Sequence, residues 1–296
     1  MLISILICTK DRPEKLKETL EAIAALEVPA SAEFEVLVID NGSKTDATER
    51  LCRETEPVLG ARLRFASIPV AGKSRAANEG FKLSRGEIIA FLDDDILPRK
   101  DWLAVIYREF SADASLGGLT GRVELRDAGD LQIAVRHNEE RAKVSAPMDA
   151  VSLFIGCNFA VRRALIEKNG LYDPLFGPGS KISSAEDLDF CYRAWKAGEV
   201  MIYEPSLFVL HAHGRRSEKD RAAITRSYVV GKGAFFAKYV LAGDSRIAKE
   251  MYWNMRTEAR DVFRPGGAES LRRLAWLASG FLRYSFARLT ARHNVK

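Results

Sequence analysis

The apolar positions of this chain fall into short unbroken runs separated by amphipathic stretches. "LISILICT" at residues 2–9, "FEVLVID" at 34–40 and "EIIAFL" at 87–92 are nearly continuous apolar runs. Such runs read as strands buried on both faces. Between the first two, Pro13 opens a stretch in which Leu16, Leu20, Ile23 and Leu26 recur at helical spacing. "DATERLCRETEPV" and "KSRAANEGFKLS" predict two more helices, and "LRFASIP" a short strand. The order βαβαβαβ predicts an α/β fold, a mostly parallel sheet flanked by helices with right-handed crossovers.

Beyond Trp102 the pattern loosens. "VSLFIGCNFAVRRALIEKNG" reads as strand, turn, strand and short helix, and "FGPGSKISSAED" as a loop rich in Gly, Pro and Ser. "LDFCYRAWKAG" is helical up to Gly198, and "EVMIYEPSLFVLHAHG" gives two short strand-like pieces. From about Asp220 the chain is expected to be mostly helical. The expected division is therefore one α/β domain over residues 1–217 and a helical C-terminal extension over 218–296.

Composition bounds the classes without choosing among them. With 296 residues, 47% of them hydrophobic and 29% charged, the chain is globular rather than disordered or fibrous. The net charge of +5 hides an asymmetry: from Arg221 onward there are 15 Lys/Arg against 5 Asp/Glu. An acidic body thus precedes a basic tail. No recognised nucleic-acid-binding motif accompanies that tail, so nucleic acid is not an expected partner. No uncharged apolar stretch reaches the length of a spanning helix. The start lacks the basic residues and cleavage site of a signal peptide. Cys8, Cys52, Cys157 and Cys191 are scattered and expected to be reduced packing residues, which points to the cytoplasm.

The polar residues sharpen the picture. "CTKDR" (8–12), "DNGS" (40–43) and "DDD" (93–95) each follow a predicted strand. In open α/β sheets ligands collect beyond the carboxyl ends of the strands, so three such loops predict one crevice. Asp93, Asp94 and Asp95 crowd like charges where water is limited, and a hard divalent cation such as Mg²⁺ or Mn²⁺ would suit them. Asp40 is placed to accept hydrogen bonds from a base or ribose. Lys73, Ser74 and Arg75 sit near a predicted helix N-terminus, which favours phosphate. Neither a G-x-x-x-x-G-K-[ST] loop nor a G-x-G-x-x-G after the first strand is present, which argues against P-loop and dinucleotide enzymes. In "SSAEDLDF", Ser184 is a candidate N-cap, and Glu186 and Asp187 would stabilise the first helical turn whatever else they do.

Five segments together resemble the family 2 glycosyltransferases of the GT-A fold: "ILICTKDRPEKLKETLEAI", "VLVIDNGSKTDAT", "GKSRAANEGFKLSRGEIIAFLDDD", "AEDLDFCYRAWKAG" and "VLHAHGRRS". The resemblance covers about residues 1–217, with a nucleotide-sugar half over about 1–100 and an acceptor half over about 101–217. It implies an inverting, metal-dependent transferase (Mn²⁺ or Mg²⁺) moving a sugar, from a UDP-sugar by preference, to a hydroxyl of a glycan or lipid-linked acceptor. Carried over by position, Thr9, Arg12, Asp40, Lys73, Arg75, Asp93 and Asp94 would bind the nucleotide sugar. Asp93 and Asp95 form the D-x-D pair, with Asp95 the direct metal ligand. The family's later histidine falls on His211, with His213 as the alternative. Asp187 would be the general base and Glu186 its neighbour orienting acceptor or loop. Trp102 lining the acceptor site and Arg193 pairing with an acid are of second rank. A metal-dependent nucleotidyltransferase and a non-catalytic nucleotide-sugar-binding relative are the alternative readings.

The tail adds a last expectation. In "ESLRRLAWLASGFLRYSFARLTARH", Leu271, Leu274, Leu277, Ala278, Phe281, Leu282 and Leu289 lie near one helical face, with Arg272, Arg273, Arg283, Arg288 and Arg292 mostly off it. Such a helix packs on a domain, forms a homodimer contact, or rests peripherally on the anionic inner face of the cell membrane.

Overall fold

A computed structural model describes residues 1–146, 149 and 153–293, the side chains of 291–293 (Arg292 among them) lying outside the described residues. The chain divides into two compact units, one of Met1–Tyr172 with Phe190–Arg216, the other of Asp173–Asp189 with the chain from Ser217 onward. The division thus differs from the one expected at 217. Residues 173–189 group with the C-terminal helices because Phe176, Ile182 and Ala185 share a core with Ala234, Ala237 and Tyr284.

The first unit is built on one sheet in the order β3-β2-β1-β4-β8-β6-β9-β5, with β7 paired to β9. β1 (Leu2–Thr9), β2 (Glu33–Asp40), β3 (Leu63–Ser67) and β4 (Ile88–Asp93) are mutually parallel, as the alternating pattern predicts. Helices α1 (Pro13–Ala24), α2 (Ala47–Leu59) and α3 (Lys73–Leu83) connect them. The rest is mixed. β8 (Asn158–Arg162) runs antiparallel to both β4 and β6 (Leu116–Leu125), whereas β6 and β9 (Val200–His211) are parallel. The short β5 (Ile96–Pro98) and β7 (Ala142–Lys143) both lie antiparallel to β9. The region predicted as two strand-like pieces at 199–214 is one strand, irregular against β6 around Gly121/Val123. Of the stretch predicted as a strand at 151–155, residues 151 and 152 lie outside the described residues.

Alternation along β1 sends Ile3, Ile5 and Ile7 to one face, against Leu16, Leu20 and Ile23 of α1 and against α4 (Trp102–Ala112). Leu6 faces the opposite core, with Phe81 of α3, Leu165 and Ile166 of α5 (Arg163–Asn169), and Phe190. Burial on both faces is what makes the parallel strands read as unbroken apolar runs.

The second unit holds the first turn of α6 (Glu186–Lys196) and three helices, α7 (Glu218–Val240), α8 (Ser245–Asp261) and α9 (Gly267–His293). Ser217 and Asp220 form a reciprocal capping box at the start of α7. Where α7 meets α9, a Cβ on Gly233 would stand 2.1 Å from the Leu277 carbonyl oxygen, and one on Gly280 1.9 Å from that of Val230. The two backbones approach closer than any side chain allows. Among the described residues, no helix is long and apolar enough to cross a membrane, and all four cysteines are free.

Asn158 ties the first unit's centre together. Its side chain accepts from the Trp102 indole at 2.9 Å and donates to the carbonyls of Leu207 (2.9 Å) and Arg122 (3.1 Å). Asn158→Ala leaves one donor and two acceptors without that partner. Each buried group so stranded costs about 1–3 kcal/mol, so a loss of at least about 3 kcal/mol is expected in urea denaturation. An unchanged midpoint would show that the network contributes nothing.

Candidate active site

Register places the polar residues in a row. Thr9 pairs with Asp40, and Cys8 with Asp93, so the carboxyl ends of β2, β1 and β4 lie side by side. On another sheet pairing, Ile96 stands opposite His211, which brings the residue after Asp95 beside the end of β9. The convergence predicted from three strand-end loops is what the sheet produces.

Hydrogen bonds lock these loops to one another. Asp11, in the left-handed region at φ +53°, donates its N–H to Ser43 Oγ (2.8 Å) and accepts from the Lys44 N–H (2.7 Å). Asp40 accepts the Ser43 N–H at 2.7 Å. Asn41 accepts the Gly72 N–H at 2.6 Å, fixing the entry to α3. A strained non-glycine residue held this firmly is typical of a functional loop.

The three aspartates have separate partners. Lys73 Nζ donates to Asp93 at 2.5 Å. Arg12 forks across the other two, Nη1 to Asp94 Oδ1 at 2.7 Å and Nη2 to Asp95 Oδ2 at 2.6 Å. Asp94 accepts also from Thr9 Oγ1 at 2.7 Å. Burial is the largest influence on Asp94 and pushes its carboxyl up to about 6 despite Arg12. Burial also pushes Asp95 upward. There the hydrogen bond and charge of His211, together with Arg12, outweigh it and hold the carboxyl well below the usual range.

The two histidines have different surroundings. His213 Nδ1 accepts the Arg215 N–H at 2.9 Å and its Nε2 lies 3.1 Å from the Leu131 carbonyl, so backbone occupies both ring nitrogens. Burial and the nearby His211 hold its pKa below that of an ordinary imidazole. His213 therefore belongs to a loop clasp, with Asp130 bound to Arg216 at 2.9 Å and to the Gly214 N–H at 2.9 Å. His211 instead places Nδ1 3.3 Å from the Ala134 carbonyl and Nε2 3.3 Å from Asp95 Oδ1. With Nδ1–H given to the carbonyl, an imidazole lone pair faces a carboxylate, an arrangement completed by a proton or a cation. A carbonyl-bound Nδ1–H is also how metal-ligating histidines are commonly oriented.

The separation fits a small divalent ion, since adjacent ligands at about 2.1 Å from such an ion lie about 3 Å apart. Among the described residues there is no cluster of three or more His, Cys, Asp or Glu side chains arranged to hold a metal. One carboxylate and one imidazole suit an ion that takes its remaining ligands from substrate phosphates and water.

The expected roles of Thr9, Asp94 and Trp102 change. Thr9 and Asp94 are buried and bonded to each other, so they shape the site rather than face a ligand. Trp102 is fully buried with its indole on Asn158, a core residue and not a lining one. Arg193 donates to the carbonyls of Asn169, Gly170 and Leu171 and lies over the Phe190 ring. Arg75 is exposed and bends back towards the Ala71 carbonyl. In the second unit, Asp187 is partly exposed, and its Oδ1 accepts the Leu188 N–H at 2.8 Å, whereas Glu186 is buried. Asp189, two residues on, is fully buried and bonded to Tyr239 and Lys238. Sequence reading passed over it, although its place in "EDLD" was the available signal.

Arg12→Met leaves Asp94 and Asp95 buried without their shared cation. Breaking a fully buried pair costs about 3–5 kcal/mol. Arg12 keeps about a third of its side chain in water, so a loss of about 2–3 kcal/mol is expected by the same principle, with partial recovery in Arg12→Lys. A variant melting with the wild type would refute the pairing.

Comparison with known proteins agrees with this fold. The profile of glycosyl transferase family 2 matches residues 4–170, more than half of the chain. The succinoglycan biosynthesis protein ExoM of Rhizobium meliloti is 38% identical over 101 residues, 34% of this chain and 32% of that one. The pre-mycofactocin glycosyltransferase of Mycobacterium tuberculosis is 26% identical over 188 residues, 60% of this chain and 37% of that one. The chain thus spans about a third of the length of these curated relatives. Among solved structures, the mannosyltransferase PcManGT of Pyrobaculum calidifontis, in complex with GDP-Man and Mn²⁺, superposes with a TM-score of 0.63 at 20% identity, over 96% of this chain and 87% of that one. TarS 1-349 of S. aureus gives 0.59 at 16% identity, over 98% and 92%. These two share the fold. With the profile match across the strand ends that carry Thr9, Asp40 and Asp93–Asp95, the chain belongs to glycosyl transferase family 2.

Proposed function

We infer that the protein is an inverting, metal-dependent glycosyltransferase. It would move a sugar from a nucleoside-diphosphate sugar to a hydroxyl of a glycan or lipid-linked acceptor. The observation that carries this reading is the Asp95–His211 pair at the strand ends, set in a chain of this family. A uridine donor is favoured because TarS has been solved with UDP and with UDP-GlcNAc, and a metal because PcManGT has been solved with Mn²⁺.

In this reading Asp40 holds the base or ribose, and Lys73 and Arg75 lie on the diphosphate side. Asp95 and His211 would hold a divalent metal, with Asp93 beside them, and the positive charge it would supply there suits a leaving nucleoside diphosphate. Arg12 fixes Asp95 in direction. Asp187, assigned by its motif, removes the proton of the acceptor hydroxyl as that oxygen attacks the anomeric carbon, and the bond to the diphosphate breaks.

Nucleoside diphosphate release from a panel of sugar nucleotides tests the reaction, and two variants test the roles. Asp95→Ala should abolish metal-dependent donor binding. Asp187→Asn should keep donor affinity by calorimetry while transfer falls about 10²–10⁴-fold. Chelator-resistant turnover would overturn the metal reading. Release of pyrophosphate in place of nucleoside diphosphate would mark a nucleotidyltransferase.

The C-terminal helix supports a peripheral membrane role. The apolar face expected of it is divided: Leu277 is buried, as are Tyr284 and Ala287 outside that face, while Leu271, Leu282 and Leu289, with the neighbouring Phe286, are 55–65% exposed. The exposed four recur at helical spacing as an outward stripe, with Arg272 and Arg283 beside it. We infer that this stripe rests at the headgroup boundary of an anionic bilayer. Cosedimentation should show binding to anionic vesicles that weakens as salt shortens the Debye length from about 10 Å at 0.1 M to about 3 Å at 1 M. Leu282→Ser/Phe286→Ser should reduce that binding. Equal binding to neutral vesicles, or none, would favour a dimer contact instead.

A further inference from the structure

The segment carrying Glu186 and Asp187 is held in an uncommon backbone state. Ala185, the residue before α6, lies in the left-handed region at φ +74°. For a residue with a Cβ this costs about 1–2 kcal/mol, and it persists where surrounding contacts over-determine it. Those contacts come from one stripe of α7. Ser184 Oγ donates to the Ser227 carbonyl at 2.7 Å, and Ser227 Oγ donates back to the Ser183 carbonyl at 3.2 Å. One turn along, a Cβ on Gly231 would stand 2.1 Å from Ser184 Oγ and 3.2 Å from Ala185 Cβ. One turn further, Ala234 is buried in the core that includes Ala185.

At the end of the stripe, Lys238 Nζ reaches Asp189 Oδ1 at 2.7 Å and Asp173 Oδ2 at 2.9 Å. One ammonium thus ties both ends of the segment Asp173–Asp189. Its Nζ also lies 5.5 Å from the centre of the Phe176 ring, and the neighbouring Tyr239 hydroxyl donates to Asp189 at 2.8 Å. Residues 227, 231, 234 and 238 follow the i, i+4, i+7, i+11 spacing of one helix face.

An ion triad with Asp189 fully buried and Lys238 and Asp173 partly so is a poor way to gain stability, since apolar residues of the same volume often serve as well or better. What it supplies is direction. We propose that Lys238 is a positioning residue for catalysis: with Tyr239, Ser227 and Gly231, it fixes the left-handed turn at Ala185 and so aims Asp187. The proposal rests on the reading of Asp187 as the base. It assigns α7 a part in the reaction that the family profile, ending at residue 170, does not cover.

The test compares four variants of the full chain with the wild type: Lys238→Met/Asp189→Asn, which removes both charges together, Lys238→Arg, Gly231→Ala and Asp187→Asn. A misplacement of about 1 Å costs about 10²-fold in turnover. The double variant is expected to lose about that much in kcat, while donor KM, donor affinity by calorimetry and melting temperature stay near wild type; Gly231→Ala, whose Cβ displaces Ser184 Oγ, is expected to lose as much kcat with donor affinity kept and a lowered melting temperature. Lys238→Arg, which keeps a cation between the two carboxylates, is expected to recover most of the turnover. Wild-type kcat in the double variant beside an inactive Asp187→Asn overturns the positioning role and leaves the base reading standing. Parallel loss of kcat, donor affinity and melting temperature overturns it too, as the mark of a merely structural contact. A fully active Asp187→Asn overturns the base reading and this proposal with it.

Discussion

Three carboxylates at the end of a strand sealed on both faces need cations within a few ångström, and that demand organises the first unit. Each partner of these acids arrives on a different connection. Arg12 comes from the loop after β1 and Lys73 from the first turn of α3, while the His211 imidazole closes β9. Like charges this close repel by about 1 kcal/mol in water and by several times that in a protein's lower dielectric. A chain that puts Asp93–Asp95 after β4 must therefore bring those loops together or fail to fold. The compensation also ranks the acids. Asp94 is committed to Arg12 and Thr9, and Asp93 to Lys73, whereas Asp95 gives one oxygen to Arg12 and turns the other towards an imidazole nitrogen. The site's remaining capacity to bind a cation is concentrated there.

What could be read from the sequence follows from how each element is buried. β1, β2 and β4 were legible because both faces are covered, and a short unbroken apolar run fits a strand with helices on either side of it. β6, "LGGLTGRVEL", was not legible, because its three glycines dilute the hydrophobic signal. One of them, Gly121, is required by a close approach, since a Cβ there would stand 2.0 Å from the Leu207 carbonyl oxygen. β9 read as two pieces because Glu204, Pro205 and Ser206 interrupt it where the ladder with β6 shifts register. At the site, positions were legible and partners were not. That Asp40, Asp93–Asp95 and residues 8–12 share a crevice follows from strand order alone. That Arg12 belongs to acids some 80 residues away is a tertiary fact with no local trace. The two histidines differ for the same reason: backbone atoms of Leu131 and Arg215 occupy His213, and no spacing rule records that.

The second unit shows how far a composition shift can mislead about boundaries. Its net positive charge marked the C-terminal region as separate from about residue 220, and the helices there are real. Yet a Gly- and Ser-rich segment with Phe176, Ile182 and Ala185 cannot bury those side chains by itself, and a loop ending in a single helical turn has no core of its own. The core it joins is supplied by α7 and α9, whose backbones meet through Gly233 and Gly280. Segment and helices therefore fold as one body although 27 residues of chain assigned to the first unit separate them. The acids that open α6 sit on that body, in a turn no L-residue adopts without support. Truncating the helices would then remove more than a surface. The Ala185 turn would lose the contacts that over-determine it and relax toward ordinary backbone angles, carrying Glu186 and Asp187 with it.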